Sequence, residues 1–474
     1  MWLELQTGIG VPLSRQVYEQ IKALILRGDL KAEEKLPSSR TLGKDLGIAR
    51  HTVLEAYEQL LAEGYLEARH GSGTRVAHGI AAVMLKPGTA VPLPVQRRPQ
   101  AHVIETGCIN FRSGIPALEN FPQKEWGRLY RGICESLPGR AFRYSSPGGV
   151  WELREAIAAY LFRVRGIRVP PERVMITSGS TQGLRIVAGL LRGDGDTVLV
   201  EDPVHTGLLE VVARAGYAVE GLRADERGMD TSALETFSRQ KAARIAFAYV
   251  TPSHQYPLGG VLPVQRRQAL ISFAQEFGCR IVEDDYDSEF RYEGAPLSSL
   301  YELAPETVVY LGSFSKILAP AMRLGFAIVP ETLQEPWRRE KLYTDVHTDA
   351  LSQHALAAFI SGGGLERHIW KMRKLYQRKR ARLLQSLARH FGDRFELRGQ
   401  AAGLHLVAAF PGVVFTKELL ARLHQRGVSV VPVEAYSLCR DDAHGHELIL
   451  GYAHLSEEEL DRGVELLKEG LAAR

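Results

Sequence analysis

Apolar positions recur at two spacings along this 474-residue chain, and the change of spacing divides it. In the first stretch Leu13, Val17, Ile21, Leu24 and Ile25 fall at helical spacing, and Gly28 ends the pattern. Pro37-Ser38-Ser39 opens a second, short helix with Ser38 as its N-cap, running to about Leu46 before Gly47 breaks it. A third helix starts near Ala49. Val53, Tyr57, Leu60 and Leu61 form its apolar stripe, Gly64 closes it, and Arg50, His51 and Thr52 are left exposed on its first turn. Tyr65–Ala68 and Thr74–Val76 read as short strands around Arg69-His70-Gly71-Ser72-Gly73. Three helices and a β-hairpin make the layout of a winged helix-turn-helix over residues 1–78.

Periodicity then fades. Pro87, Pro92, Pro94 and Pro99 break any helix, so residues 79–108 read as a linker. From residue 109 onward, strand-like runs alternate with helix-length amphipathic stretches. The strands are expected at Val174–Thr177, Thr197–Glu201, Arg244–Thr251, Arg280–Glu283, Thr307–Leu311 and Phe326–Val329. That alternation predicts an α/β fold with a mainly parallel sheet, whose ligands collect at the carboxyl ends of its strands. A large domain is expected over 109–340 and a smaller one over 341–474.

Composition changes little in this picture. Hydrophobic residues at 45% and charged residues at 24% are ordinary for a globular protein. The net charge of +4 neither demands nor excludes nucleic acid, and residues 1–78 carry equal numbers of basic and acidic side chains. The four cysteines lie far apart without a CxxC pair, which argues against a metal site or a disulfide framework and fits a reducing cytosol. Neither a signal segment nor a membrane-spanning apolar run is expected, so the predicted location is cytoplasmic.

The chemistry of the first domain follows from its layout. The N-terminal residues of a recognition helix enter the major groove, where Arg50 can donate two hydrogen bonds to a guanine edge. Arg40, at the start of the second helix, is placed for phosphate. A small protein-binding helical domain would share the same pattern. The run from Pro12-Leu13-Ser14 to Ile21, together with Leu36-Pro37-Ser38-Ser39-Arg40, Arg50-His51-Thr52-Val53, Gly64-Tyr65-Leu66 and His70-Gly71-Ser72-Gly73-Thr74, resembles the DNA-binding domain of the GntR family of bacterial regulators. The resemblance implies that Arg40, Arg50, His51, Thr52, His70 and Gly71 touch double-stranded DNA.

In the second half, Gly312-Ser313-Phe314-Ser315-Lys316 follows a buried strand. A lysine held there loses its proton easily and can form a Schiff base with an aldehyde. The pentapeptide alone fits a surface loop equally well. The hydroxyls of Ser313 and Ser315 and the guanidinium of Arg323 suit a phosphorylated aldehyde, and pyridoxal 5'-phosphate (PLP) is such a molecule. Ser178-Gly179-Ser180-Thr181 opens a helix whose free N–H groups, with the Ser180 and Thr181 hydroxyls, suit a phosphate. Plain helix capping uses the same residues. Asp284, at another strand end, can hold a pyridine nitrogen protonated, and Tyr286 can donate to the ring's phenolic oxygen.

Together these motifs, with Tyr144-Ser145-Ser146-Pro147-Gly148-Gly149 and Pro252–Gly259, resemble the fold type I, aspartate aminotransferase-like PLP enzymes over about residues 109–474. The resemblance implies a homodimer in which Tyr144 reaches the partner's phosphate. A GntR domain fused to this fold resembles the MocR subfamily of transcriptional regulators. Three positions depart from the enzyme pattern. Tyr256 stands where an asparagine usually binds the phenolic oxygen, and His205 where a stacking tyrosine is common. Ile449 stands where an arginine usually clamps the substrate carboxylate, which leaves Arg112, Arg143, His205 and His254 as candidate substitutes. The expected function is a PLP-binding regulator, sensing an amino-compound effector or PLP itself, with Lys316 as the Schiff-base lysine. The alternative is a working aminotransferase with an accessory N-terminal domain.

Overall fold

The structure, a computed structural model, describes residues 3–6, 11–69, 73–78, 107–294, 297–439 and 443–472. The chain separates into two compact units, Met1–Ile104 and Glu105–Arg474. His70 and Gly71, and the expected linker as far as residue 106, lie outside the described residues.

In the first unit, α1 (Leu13–Arg27), α2 (Ser39–Leu46) and α3 (Arg50–Ala62) are followed by β1 (Leu66–Arg69) and β2 (Gly73–Val76). Gly28 and Gly47, both left-handed, end α1 and α2. The Ser38 hydroxyl accepts the Thr41 N–H at 3.1 Å, so the cap expected of α2 is present. Val17, Ile21 and Ile25 meet Leu42, Val53, Tyr57 and Leu60 in one core. The hairpin pairs Leu66 with Val76 and Arg69 with Gly73 in antiparallel register.

The second unit begins with β3 (Ile109–Asn110), α4 (Gln123–Ser136) and α5 (Trp151–Arg165). Then come β4 (Val174–Thr177), α6 (Ser180–Leu190), β5 (Thr197–Asp202), α7 (Thr206–Arg214), β6 (Ala218–Asp225), β7 (Gly228–Met229) and α8 (Arg239–Ala242). They lead into β8 (Ile245–Val250), α9 (Val264–Phe277), β9 (Arg280–Asp285), α10 (Leu300–Leu303), β10 (Val308–Ser313), β11 (Gly325–Ile328) and α11 (Glu331–Asp345). The last third holds α12 (Ala350–Ser361), α13 (Gly364–Phe391), β12 (Glu396–Arg398), β13 (His405–Ala409) and α14 (Lys417–Gln425). It finishes with β14 (Val428–Ser429), β15 (Val431–Pro432), β16 (Glu447–Gly451) and α15 (Glu457–Ala472).

The large sheet runs β4-β11-β10-β9-β8-β5-β6-β7. Its five central strands are mutually parallel, and β11 is antiparallel to both of its neighbours. Alternate residues serve two cores: Val308 and Tyr310 enter one, Val309 and Leu311 the other. Burial on both faces explains the near-continuous apolar runs of these strands. The smaller sheet, β12-β13-β16-β15, packs on α13 and α15 around a third core. All six expected strands are present. However, β9 and β10 each end two residues later than expected, because Asp285 pairs with Gly312 and Ser313 pairs with Gly325. Ser313 is therefore a strand residue, and the turn that carries Lys316 starts only after it. Among the described residues, no helix is long and apolar enough to cross a membrane.

Candidate functional site

On the first unit, Arg40, Arg50 and His51 are exposed and Thr52 is half-buried. The helix stripe of Val53, Ala56 and Tyr57 is buried, which turns the first turn of α3 outward. The Tyr57 hydroxyl donates to the Pro37 carbonyl at 2.9 Å and ties α3 to the loop before α2. The Nε of Arg50 donates to the Ser39 hydroxyl at 3.4 Å, so the two helix starts lie side by side. This is a cationic, polar edge that α2 and α3 present together.

On the second unit, the parallel strands deliver their carboxyl ends to one edge of the large sheet. The turn after β10 carries Lys316, whose Nζ donates to the Gly114 carbonyl at 2.7 Å. Gly114 has a φ of 74°, a conformation strained for any other residue, and a Cβ there would press on that Nζ at 3.1 Å. Burial pushes the Lys316 ammonium below its usual range; Asp287 and Asp284 oppose this, and Arg112 and Arg323 reinforce it. A lysine so placed is readily neutral and nucleophilic.

Asp284 stands at the end of β9. One carboxylate oxygen accepts the Tyr249 hydroxyl at 2.5 Å. The other, Oδ1, is buried without a hydrogen-bond partner among the described residues. Burial pushes the carboxyl up to about 6. An orphaned carboxylate oxygen of this kind fits a ring N–H donor.

The third part is the start of α6. Its cap, Gly179, has a φ of 97° and supplies no side-chain cap to the first N–H groups of the helix. Nη2 of Arg323 donates to the Ser178 carbonyl at 2.5 Å, and a Cβ on Gly179 would come within 2.9 Å of that nitrogen. Arg323 itself takes a left-handed conformation just before β11. A guanidinium beside open helix N–H groups, with Ser180 half-buried and Thr181 exposed next to it, suits a phosphate. Gln182 braces this turn. Its carbonyl accepts the Ser178 N–H at 2.8 Å and its amide donates to Asp345 at 2.8 Å.

Other expected site residues are already engaged with protein groups. The Ser313 hydroxyl accepts the Ser315 N–H at 3.1 Å. Tyr286 donates to the His254 carbonyl at 2.9 Å, and His254 in turn pairs with Asp287 at 3.0 Å. Burial alone would lower the His254 imidazole, but the Asp287 carboxylate outweighs it and raises it. The Tyr256 hydroxyl pairs with that of Ser113 at 2.8 Å, and its ring lies edge-on to His205 at 5.4 Å. His205 caps α7 by accepting the Gly207 N–H at 3.0 Å, and burial, then Lys316 and Arg112, hold it below the usual imidazole range. Tyr144 is 87% exposed, with its ring 6.2 Å from that of His347. Ile449 is 1% exposed and packs with Ala224, Leu258, Val407 and Val433.

Sequence reasoning missed Gly114, Tyr249 and Gln182. Tyr249 was open to discovery, because a hydroxyl inside the apolar run Ile245–Val250 must find a partner. Gly114 left no such signal, since its role is that of a backbone carbonyl.

Residues 13–76 match the model of the bacterial regulatory proteins of the gntR family, and residues 106–467 that of aminotransferase class I and II. The chain is 32% identical to the probable rhizopine catabolism regulatory protein MocR of Rhizobium meliloti, over 99% of this chain and 96% of that one. The chain belongs to the MocR subfamily of GntR-type regulators. A second relative is the HTH-type pyridoxine biosynthesis transcriptional regulator PdxR of Corynebacterium glutamicum, 32% identical over 83% of this chain and 82% of that one. Among solved structures, the MocR-type second unit is similar to LysN, the alpha-aminoadipate aminotransferase of Thermus thermophilus, complexed with N-(5'-phosphopyridoxyl)-L-leucine. The match has 31% identity and a TM-score of 0.69, and covers 77% of this chain and 92% of that one. Kynurenine aminotransferase of Pyrococcus horikoshii matches at 28% identity and a TM-score of 0.70, covering 77% and 91%.

Proposed function

We propose that this protein is a PLP-binding transcription regulator whose DNA affinity responds to an amine ligand or to PLP itself. One observation carries the reading. A single chain joins an exposed Arg50–His51 helix start to a strand-end trio of Lys316, Asp284 and Arg323. PLP, when bound, supplies an electrophilic aldehyde and a ring that withdraws electrons. Lys316 offers the amine for that aldehyde. Asp284 Oδ1 takes the ring N–H, and Arg323 with Ser180, Thr181 and the start of α6 holds the phosphate. His205 and Tyr256 wall one side, while Tyr286, Ser313 and Ser315 line the approach. The names of MocR and PdxR as regulators and the phosphopyridoxyl ligand of LysN support the two halves of this reading.

Arg50, His51 and Thr52 read base edges, and Arg40 holds phosphate. The working unit is a cytoplasmic homodimer. Tyr144, 87% exposed on one subunit, is the kind of aromatic side chain that a second copy covers, and α4 buries none of its residues within one chain. A dimer presents two winged domains, so the operator carries repeated half-sites. An effector works only if it binds two arrangements of the protein with different affinity.

Selection from a randomised duplex pool with the PLP-loaded protein, followed by fluorescence anisotropy at fixed salt, tests the reading. The expected result is a recovered sequence bound well above nonspecific DNA, with an affinity that moves when PLP is removed or an amine is added. Failure to recover any sequence, or an affinity blind to PLP and to amines, refutes it.

A further inference from the structure

A wholly buried lysine lies on α11, apart from the lysine of the strand-end site. Lys341 is 0% exposed, and its Nζ donates to the Asp345 carboxylate at 2.6 Å and to the Thr348 hydroxyl at 3.0 Å. Burial pushes its ammonium down, and Asp345 opposes this. A buried ion pair is often no more stabilising than apolar side chains of the same volume, so stability alone is a weak account of this one. What the pair fixes is Asp345. One carboxylate oxygen takes Lys341, and the other accepts the Gln182 amide at 2.8 Å. The backbone bends sharply at the same place. Val346, next in the chain, has a φ of 64° and a ψ of −63°, a rare turn for a β-branched residue. The His347 N–H closes that turn on the Asp345 carbonyl at 2.7 Å.

Gln182 passes this geometry on to the start of α6. A carboxylate only accepts and a backbone N–H only donates, so the amide can face one way alone. Its Nε2 donates to Asp345 and its Oε1 accepts the Ser178 N–H, each at 2.8 Å. The Ser178 backbone is gripped from both sides, because its carbonyl accepts Arg323 Nη2 at 2.5 Å. The Thr177 hydroxyl donates to the Gly179 carbonyl at 3.1 Å, so both carbonyls of the turn before α6 are held by donors. The strap beyond Val346 is tied down as well: the wholly buried Gln353 donates to the Thr348 carbonyl at 2.8 Å. An unbroken chain of bonds thus runs from Lys341 through Asp345, Gln182 and Ser178 to Arg323.

We propose that Lys341 and Asp345 are positioning residues for the phosphate of PLP, acting through Gln182 on Ser178 and so on Arg323 and the first turn of α6. This rests on the reading of Arg323 and the α6 start as the phosphate-holding part of the PLP site. A turn already held in its bound form loses less freedom when the ligand arrives. The bonds of the relay include none of Lys316, Asp284 or Tyr286. It therefore acts on the phosphate and not on the ring or the aldehyde, and sets how strongly the protein prefers PLP to pyridoxal, the same aldehyde without phosphate.

The test titrates the full-length protein, stripped of cofactor, with PLP and with pyridoxal, following the absorbance band of the bound aldehyde. The ratio of the two affinities is the readout. Gln182→Met and Asp345→Asn are each expected to cut the preference for PLP at least tenfold, about 1.4 kcal/mol, with pyridoxal affinity held within twofold. The double variant is expected to lose no more than the larger single loss, because both residues act through one chain. Should Asp345→Asn fail to fold, Gln182→Met decides alone, since it leaves the Lys341–Asp345 pair whole. A preference that survives in the variants overturns the relay. So does an equal fall for PLP and pyridoxal, which is what a general brace of the fold would give, and so do losses that add in the double variant. If the unaltered protein shows no preference for PLP over pyridoxal, the parent reading of the phosphate site falls, and the relay with it.

Discussion

The winged domain and the lysine site differ in how far along the chain their parts lie. The winged domain draws α1, α2, α3 and the hairpin from residues 13–76. Its contacts close within that stretch: Tyr57 on Pro37 spans 20 residues and Tyr18 on Glu63 spans 45. The lysine site gathers Gly114, Gly179, Tyr249, Asp284, Lys316 and Arg323, and Lys316 and Gly114 meet across 202 residues of chain. Short-range contacts cost little loop entropy and leave their mark in local pattern. Long-range ones exist only once the sheet has set the strand ends side by side. The difference teaches that a motif can name a functional residue while saying nothing of what holds it.

Substitutions can break this comparison from either side. The largest effect is expected of Lys316→Ala, which removes all covalent PLP and its visible colour, read by absorbance and by borohydride trapping. A variant that stays yellow and can be trapped would refute the lysine assignment. Arg50→Ala is expected to weaken specific DNA binding by about 1–3 kcal/mol in anisotropy titrations. PLP uptake should stay as it was, because Arg50 belongs to a locally built unit. An unchanged affinity would remove Arg50 from the recognition edge. The smallest effect is expected of Ser38→Ala. Losing the cap of α2 costs about 1 kcal/mol, measured as a lower melting temperature of the first unit. If the PLP-bearing unit melted earlier as well, the two units would not be independent in stability.

Legibility followed the same divide. The ends of α2 were readable because Ser38 and Gly47 are cap chemistry written in single residues. The strands of the large sheet were readable because burial on both faces leaves continuous apolar runs, yet their last residues were not. Nothing in Gly312-Ser313 shows that β11 will pair with Ser313. Lys316, Asp284 and Arg323 stood out by residue type and by position after a strand. Tyr286 stood out as well, but its donation to the His254 carbonyl depends on a turn more than thirty residues away.

The sequence by itself determined the order of elements, the helix caps, the two-part plan and the identity of the charged residues at the strand ends. These follow from nearest-neighbour sterics, capping and hydrophobic period, all of which act over a few residues. Only the tertiary structure decided that Gly114 receives Lys316, that Tyr249 takes one oxygen of Asp284 and leaves the other open, and that Ile449 is sealed. Each of those depends on which distant groups are desolvated together. Burial makes a partner worth having, and packing alone selects which partner is within reach.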